Sequence, residues 1–367
     1  MVILFLVLGF ILLIGGAELL VRGASKLASR AGISSLVVGL TVVSLGTSAP
    51  ELAVGLDSGF RGQTDLLIGN VIGSNIFNVL FILGVSALVT PLVVNHKLIR
   101  LDVPLMIGCS LLLGALGWDG TIHRWEALLL VLLLICYTMF LLYQSRKEGL
   151  NNDIGKDSVP KAESGNLGIF KSDHWIFDLF FMVTGLFLLV MGANWLVDSA
   201  VQIAQNFGVS ELIIGLTIIS VGTSLPEVAT SIMAGLKGER DIAVGNVVGS
   251  NIFNILGIVG ITGIIIPQSI GMSPAILGFD LPVMTAVAIA CLPIFFTGHI
   301  IVRWEGMVFL GYYLAYLLYL ILDARGHDLL PIFNNVMLGF VLPITFLTLI
   351  IVAYREFKQK EESKLQL

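Results

Sequence analysis

Charge is scarce in this chain: Asp, Glu, Lys and Arg make up 12% of 367 residues, 56% are hydrophobic, and the mean hydropathy is +0.97. A water-soluble domain cannot cover that much apolar surface, so the chain is read as an integral membrane protein. Cysteine is nearly absent. Cys109, Cys136 and Cys291 lie inside apolar stretches with no pairing pattern, which excludes a disulfide framework and a thiolate metal centre. The histidines, His96, His123, His174, His299 and His327, sit in or beside loops without metal-ligand spacing, and no His-Glu-x-x-His occurs. An intramembrane protease built on Ser48 or Ser224 therefore has no His or Lys within the spans to act as its base. No basic face suggests nucleic acid.

What the chain has is long apolar runs. They fall at 2–21, 33–58, 65–90, 101–118, 124–144, 175–197, 209–236, 241–266, 275–298, 303–322 and 331–354, each near the roughly 20 residues that span a bilayer core as a helix. They are too long and too uniformly apolar for barrel strands, so the fold class is an all-α polytopic membrane protein. The first run lacks a basic leader and is read as a retained span. With the N-terminus outside, 17 of the 20 Lys and Arg residues fall on one side, and only Arg61, Arg124 and Arg325 on the other. The positive-inside rule then gives an outside N-terminus, a cytoplasmic C-terminus and a cell (inner) membrane location. Ser145 to Asp173 mixes charged residues with Ser, Gly and Pro and reads as a solvated linker.

The most informative pattern is a repeat. Gly39-Leu-Thr-Val-Val-Ser-Leu-Gly-Thr-Ser-Ala-Pro-Glu51 returns 176 residues later as Gly215-Leu-Thr-Ile-Ile-Ser-Val-Gly-Thr-Ser-Leu-Pro-Glu227. Gly69-Asn-Val-Ile-Gly-Ser-Asn-Ile-Phe-Asn78 returns at the same offset as Gly245-Asn-Val-Val-Gly-Ser-Asn-Ile-Phe-Asn254, and Arg124-Trp-Glu126 as Arg303-Trp-Glu305. An odd number of spans separates the copies, so the second half is upside down in the membrane. The expected organisation is a first five-helix repeat at 1–145, a cytoplasmic linker at 146–173, a second inverted five-helix repeat at 174–323, and an eleventh helix with a cytoplasmic tail at 324–367. Inverted repeats with interrupted spans point to a transporter.

Pro50 has no N–H and its ring collides with the carbonyl four residues back, at Gly46; Pro226 and Gly222 repeat the device, so both helices should break there. Non-helical backbone in hydrocarbon survives only where protein, water or an ion completes it. Around the breaks every side-chain ligand is an oxygen: Ser44, Thr47, Ser48 and Glu51 in one copy, Ser220, Thr223, Ser224 and Glu227 in the other. Hard cations such as Ca²⁺ and Na⁺ take that set, whereas zinc and copper draw on His or Cys. Intramembrane carboxylates default to function, and these occur twice in one context. Asn70, Ser74 and Asn78, with Asn246, Ser250 and Asn254, form polar stripes at i, i+4 and i+8 beside small residues. Close helix packing is the competing role for Asn70 and Asn246. Glu18, Arg22 and Asp198 are placed near span ends, where snorkelling or a local pair accounts for them. Asp65 and Asp241 sit at helix starts, the ordinary capping place.

The paired Gly-Thr-Ser-x-Pro-Glu and Gly-Asn-x-x-Gly-Ser-Asn-Ile-Phe-Asn motifs resemble the α-repeats of the calcium/cation antiporter superfamily, especially the prokaryotic sodium/calcium exchangers, over residues 1–323. The resemblance implies a ten-helix core with cations held between its second, third, seventh and eighth helices. It implies Glu51 and Glu227 as ligands for which Ca²⁺ and Na⁺ compete, assisted by Thr47 and Thr223. Ser48, Ser224, Ser74 and Ser250 would line sodium sites, and Ser44 and Ser220 would offer carbonyls. The chain departs from well-known sodium/calcium exchangers in carrying Asn254 where they have aspartate, and in its eleventh helix. The sequence therefore leads to a secondary antiporter exchanging Ca²⁺ for Na⁺ or H⁺ in a lipid bilayer, with no cofactor beyond the transported ions. A cation channel is the nearest rival and an enzyme the most distant.

Overall fold

The computed structural model describes residues 1–154, 175–207, 220–324, 326–348 and 350–351. Helix α1 spans Val2–Ala31. Next come α2 (Ser35–Thr47) and α3 (Ala49–Phe60), bent 45° from each other, then α4 (Thr64–Val89) and α5 (Leu98–Leu116). Helices α6 (Arg124–Ile154) and α7 (Trp175–Asn206) follow. Then come α8 (Leu225–Leu236), α9 (Arg240–Ile265), α10 (Ile276–Phe296), α11 (Arg303–Ala324) and α12 (Leu330–Thr348). Nine of these are long and apolar enough to cross a membrane singly, and α2 with α3 makes a tenth span among the described residues. Part of the seventh expected span, the linker from residue 155 and the tail from residue 352 lie outside them.

Four two-residue strands show how the halves are related. Strand β1 (Leu92–Val93), between α4 and α5, pairs antiparallel with β4 (Ile300–Ile301), between α10 and α11. Strand β2 (Thr121–Ile122), between α5 and α6, pairs antiparallel with β3 (Ile270–Gly271), between α9 and α10. Because α5 separates β1 from β2, the two sheets stand at opposite ends of the bundle. Helix α4 runs into the first sheet and α9 into the second, so these two copies of one motif point in opposite directions. The repeats are inverted.

Helix α1 departs from the expected 2–21 stretch. It continues to Ala31 because no residue breaks it before Gly32, whose φ of 63° closes the helix while Ile33 N–H bonds the Ala28 carbonyl at 3.0 Å. Arg22, Lys26 and Arg30, beyond the apolar stretch, therefore ride on the helix. Glu18 stands within the longer helix and has the local pair expected of it, with Lys237 at 3.0 Å, and Arg30 reaches Asp178 on α7 at 2.7 Å. Helices α1 and α7 touch backbone to backbone. A Cβ on Gly16 would stand 2.7 Å from the Gly185 carbonyl, and one on Gly192 would stand 2.7 Å from the Gly9 carbonyl. Small residues of this kind let membrane helices approach closely where no hydrophobic drive exists between them.

One repeated motif gains a role and one expectation changes. Glu126 Oε2 accepts from His123 N–H at 2.7 Å and Glu305 Oε2 from Val302 N–H at 2.9 Å, so the repeated Arg-Trp-Glu closes a helix start, the glutamate reaching back to a donor the helix leaves unpaired. Asp65 and Asp241 do not cap their helices, since Gln63 and Glu239 hold those positions. They tie helix starts to the opposite half instead: Asp65 accepts from Ser273 N–H at 3.0 Å and Asp241 from Asn95 Nδ2 at 3.4 Å. Helix α12 packs on the outside of α11, where the Tyr312 hydroxyl meets that of Thr345 and the Tyr319 and Phe333 rings lie 6.4 Å apart, and it buries little of its own apolar surface.

Candidate functional site

The broken helix turns at Ser48, whose φ and ψ of −83° and 10° leave the helical region before Pro50 restarts α3 at its first turn. Ser224 repeats this at −92° and 7°, followed by Pro226 in α8. The glycines beside the breaks also admit the close approach of α7: a Cβ on Gly46 would meet the Leu186 side chain at 3.1 Å, and one on Gly222 would run into the Val197 side chain. Glu51 and Glu227 fall in the first turns of α3 and α8, where exposed N–H groups favour negative charge. The second break is described from Ser220, which opens a one-turn helix, Ser220–Gly222.

The two halves interlock through their serines. Ser48 Oγ donates to Glu227 Oε1 at 2.9 Å, and Ser224 Oγ donates to Glu51 Oε1 at 2.8 Å while lying 3.4 Å from Ser74 Oγ. Thr47 Oγ1 donates to Asn246 Oδ1 at 3.1 Å, and Asn246 Nδ2 reaches Ser231 Oγ at 3.1 Å. The Ser250 hydroxyl is buried and makes no hydrogen bond to the described residues. Ser44 returns its hydroxyl to the Leu40 carbonyl at 2.9 Å, which bends helices slightly in other settings. Glu51 and Glu227 are each 1% exposed, and Ser44, Thr47, Ser48, Ser74, Asn78, Ser224, Asn246, Ser250 and Asn254 are buried with them. Thr223 and Asn70 are half-buried.

Within this cluster the second carboxylate oxygens, Glu51 Oε2 and Glu227 Oε2, and the amide oxygens Asn78 Oδ1 and Asn254 Oδ1 are buried and accept no hydrogen bond from the described residues. Buried acceptors are normally satisfied, because leaving one bare costs about 1–3 kcal/mol, and more when it is charged. Each inverted half contributes one bare carboxylate oxygen and one bare amide oxygen, all of them hard acceptors. No group of three His, Cys, Asp or Glu side chains among the described residues resembles a resident metal centre.

Asn78 and Asn254 also open a π-helical turn in each copy, Asn78–Leu83 and Asn254–Val259. A wider turn interrupts the regular ladder and re-aims side chains, and such turns recur at functional positions. Sequence reasoning missed Asn75 and Asn251, which meet Asn254 and Asn78 across the two halves at 3.0 Å. Both were inside the repeated motif, but a stripe drawn at i, i+4 and i+8 passes them by.

Comparison with known proteins agrees with this geometry. The family model described as sodium/calcium exchanger protein matches residues 1–143 and 177–322. The inner membrane protein YrbG of Escherichia coli is 38% identical over 77% of this chain and 85% of its own length. The sodium/calcium exchanger MaX1 of Methanosarcina acetivorans is 34% identical over 86% of this chain and 97% of its own. Among solved structures, the sodium-calcium exchanger NCX_Mj, soaked with zero Na⁺ and Ca²⁺, superposes with a TM-score of 0.73 at 27% identity, covering 87% of this chain and 100% of that one. The repeats, the inverted halves and these matches converge on one conclusion: the chain belongs to the sodium/calcium exchanger family, a family of membrane cation antiporters.

Proposed function

We propose that this chain exchanges Ca²⁺ for Na⁺ at one site, centred on Glu51 and Glu227, that opens alternately to either side of the membrane. The observation that carries the reading is the set of bare buried oxygens on those glutamates and on Asn78 and Asn254. The two carboxylates give the site a charge of −2, which one Ca²⁺ or two Na⁺ neutralise. Two uncompensated charges in a low-dielectric interior are costly, so the loaded site passes between states and the empty one does not. Exchange rather than leak follows from that difference, and it separates an antiporter from a channel.

Ser48, Ser224, Thr47, Thr223, Ser74 and Ser250 supply hydroxyls for the smaller Na⁺ charge, and the turns at Ser44 and Ser220 supply carbonyls. Asn70 and Asn246 flank them, Asn246 by bridging Thr47 to α8. The halves 1–145 and 174–323 each contribute one copy, 146–173 links them in the cytoplasm, and 324–367 is an addition to the core. The N-terminus lies outside, by the basic-residue bias.

The test is ⁴⁵Ca uptake into proteoliposomes under an outward Na⁺ gradient. Wild-type chain accumulates Ca²⁺ against its own gradient, and Glu51→Gln or Glu227→Gln abolishes this; undiminished uptake by either variant would falsify the reading. A pH gradient imposed alone separates the coupling ions: uptake driven by protons and indifferent to Na⁺ replaces Na⁺ with H⁺ at the same two carboxylates.

A further inference from the structure

An asparagine side chain has one arm that donates and one that accepts, so a cation ligand of this type works only when its oxygen faces the ion. In this protein the orientation of Asn78 and Asn254 follows from a chain of donors and acceptors that starts at backbone. Asn251 Nδ2 lies 3.4 Å from the Asn75 carbonyl and 3.4 Å from Met106 Sδ, neither of which can donate. Its nitrogen is held there, and its oxygen is left pointing at Asn78. Asn78 must then present Nδ2, at 3.0 Å, which turns Asn78 Oδ1 away and leaves it bare. The mirror image holds in the other half: Asn75 Nδ2 meets the Asn251 carbonyl at 3.3 Å and Met284 Sδ at 3.4 Å, Asn75 Oδ1 takes Asn254 Nδ2 at 3.0 Å, and Asn254 Oδ1 is bare.

We propose that Asn75 and Asn251 are positioning residues that aim the amide oxygens of Asn254 and Asn78 at the transported cation, and that Met106 and Met284 hold the clasp in that sense. Reversing either outer amide would set an oxygen against a carbonyl oxygen at about the same separation, so the arrangement has one stable direction. Each half thereby orients a ligand that belongs to the other. The inference rests on the proposed role of Asn78 and Asn254 as cation ligands.

A double-mutant cycle on the full chain tests it, with Ca²⁺ affinity measured by equilibrium ⁴⁵Ca binding in detergent and folding followed by thermal unfolding. Asn251→Ala should weaken Ca²⁺ binding about tenfold, the net worth of one hydrogen bond. The same substitution in an Asn78→Asp background should weaken it less than about twofold, because a carboxylate carries oxygen on both arms and needs no aiming. Equal losses in both backgrounds, or no loss in either, overturn the proposal. Wild-type affinity in Asn78→Ala instead overturns the ligand role of Asn78 itself, and so is told apart from a failure of positioning. If Asn251→Ala does not fold, the cycle passes to Asn75→Ala with Asn254→Asp. Should neither alanine variant fold, the amides hold helices rather than aim oxygens, and the proposal is overturned.

Discussion

The Tyr137 hydroxyl donates to Asp102 Oδ1 at 2.9 Å, and Tyr316 makes the same bond to Asp280 at 3.0 Å in the inverted half. Each aspartate closes a π-helical turn, Leu98–Asp102 or Ile276–Asp280, just before a proline-led α-helix. Tyr137→Phe removes the donor from a carboxyl that is 1% exposed and should cost about 1–3 kcal/mol. Tyr316→Phe should cost less, because Asp280 is only half-buried. Thermal unfolding in detergent reads the order, and Ca²⁺ affinity should be unchanged in both.

Ser48→Ala and Ser224→Ala each strip one hydrogen bond from a buried carboxylate, a loss of about 1.5–3 kcal/mol for a charged acceptor. Ca²⁺ affinity should fall by about tenfold to a hundredfold in each variant. Because the bonds are near mirror images, the two losses should match to within a few-fold. A loss in one variant alone would show that the halves do not share the ion equally.

Gly185→Val drives a Cβ onto the Leu20 backbone nitrogen, and no rotamer relieves a clash with backbone. Overpacking typically costs about 1–3 kcal/mol, and more where the backbone cannot yield. The variant should lose yield and melting temperature in detergent. Gly15→Val, where no described residue lies within 4 Å of the added Cβ, should behave as wild type.

The Lys237 and Glu18 pair, 3.0 Å apart, has side chains that are 29% and 54% exposed. Such pairs contribute about 0–1 kcal/mol and less in salt. Lys237→Met should therefore shift thermal stability by under about 1 kcal/mol, with the difference shrinking as NaCl is raised.

Much of the site was legible because duplication repeats chemistry along with position. Glu51 and Glu227 announced themselves as charges in apolar sequence, and Pro50 and Pro226 told where the helices would break. Asp102 and Asp280 escaped notice because each stands within the first six residues of an apolar run, where a charge is ordinary, and the tyrosine that completes it is 35 or 36 residues further on. The length of α1 escaped for the opposite reason. Arg22, Lys26 and Arg30 look like a loop by hydropathy, but helical propensity and the late Gly32 decide the end of a helix, not its polarity. Asn75 and Asn251 could be found only by asking which face of one repeat meets the other, and that requires the inverted packing itself.

The strand pairs carry a last consequence. Neither half closes on its own: β1 finds its partner in β4, and β2 in β3, so each half lends one edge and borrows another at both ends of the bundle. A half synthesised alone would offer unpaired strand edges to any neighbour. The order of the halves along the chain matters much less than the presence of both. A circular permutant opened between them and joined between residues 324 and 1 should assemble the same walls around the same glutamates.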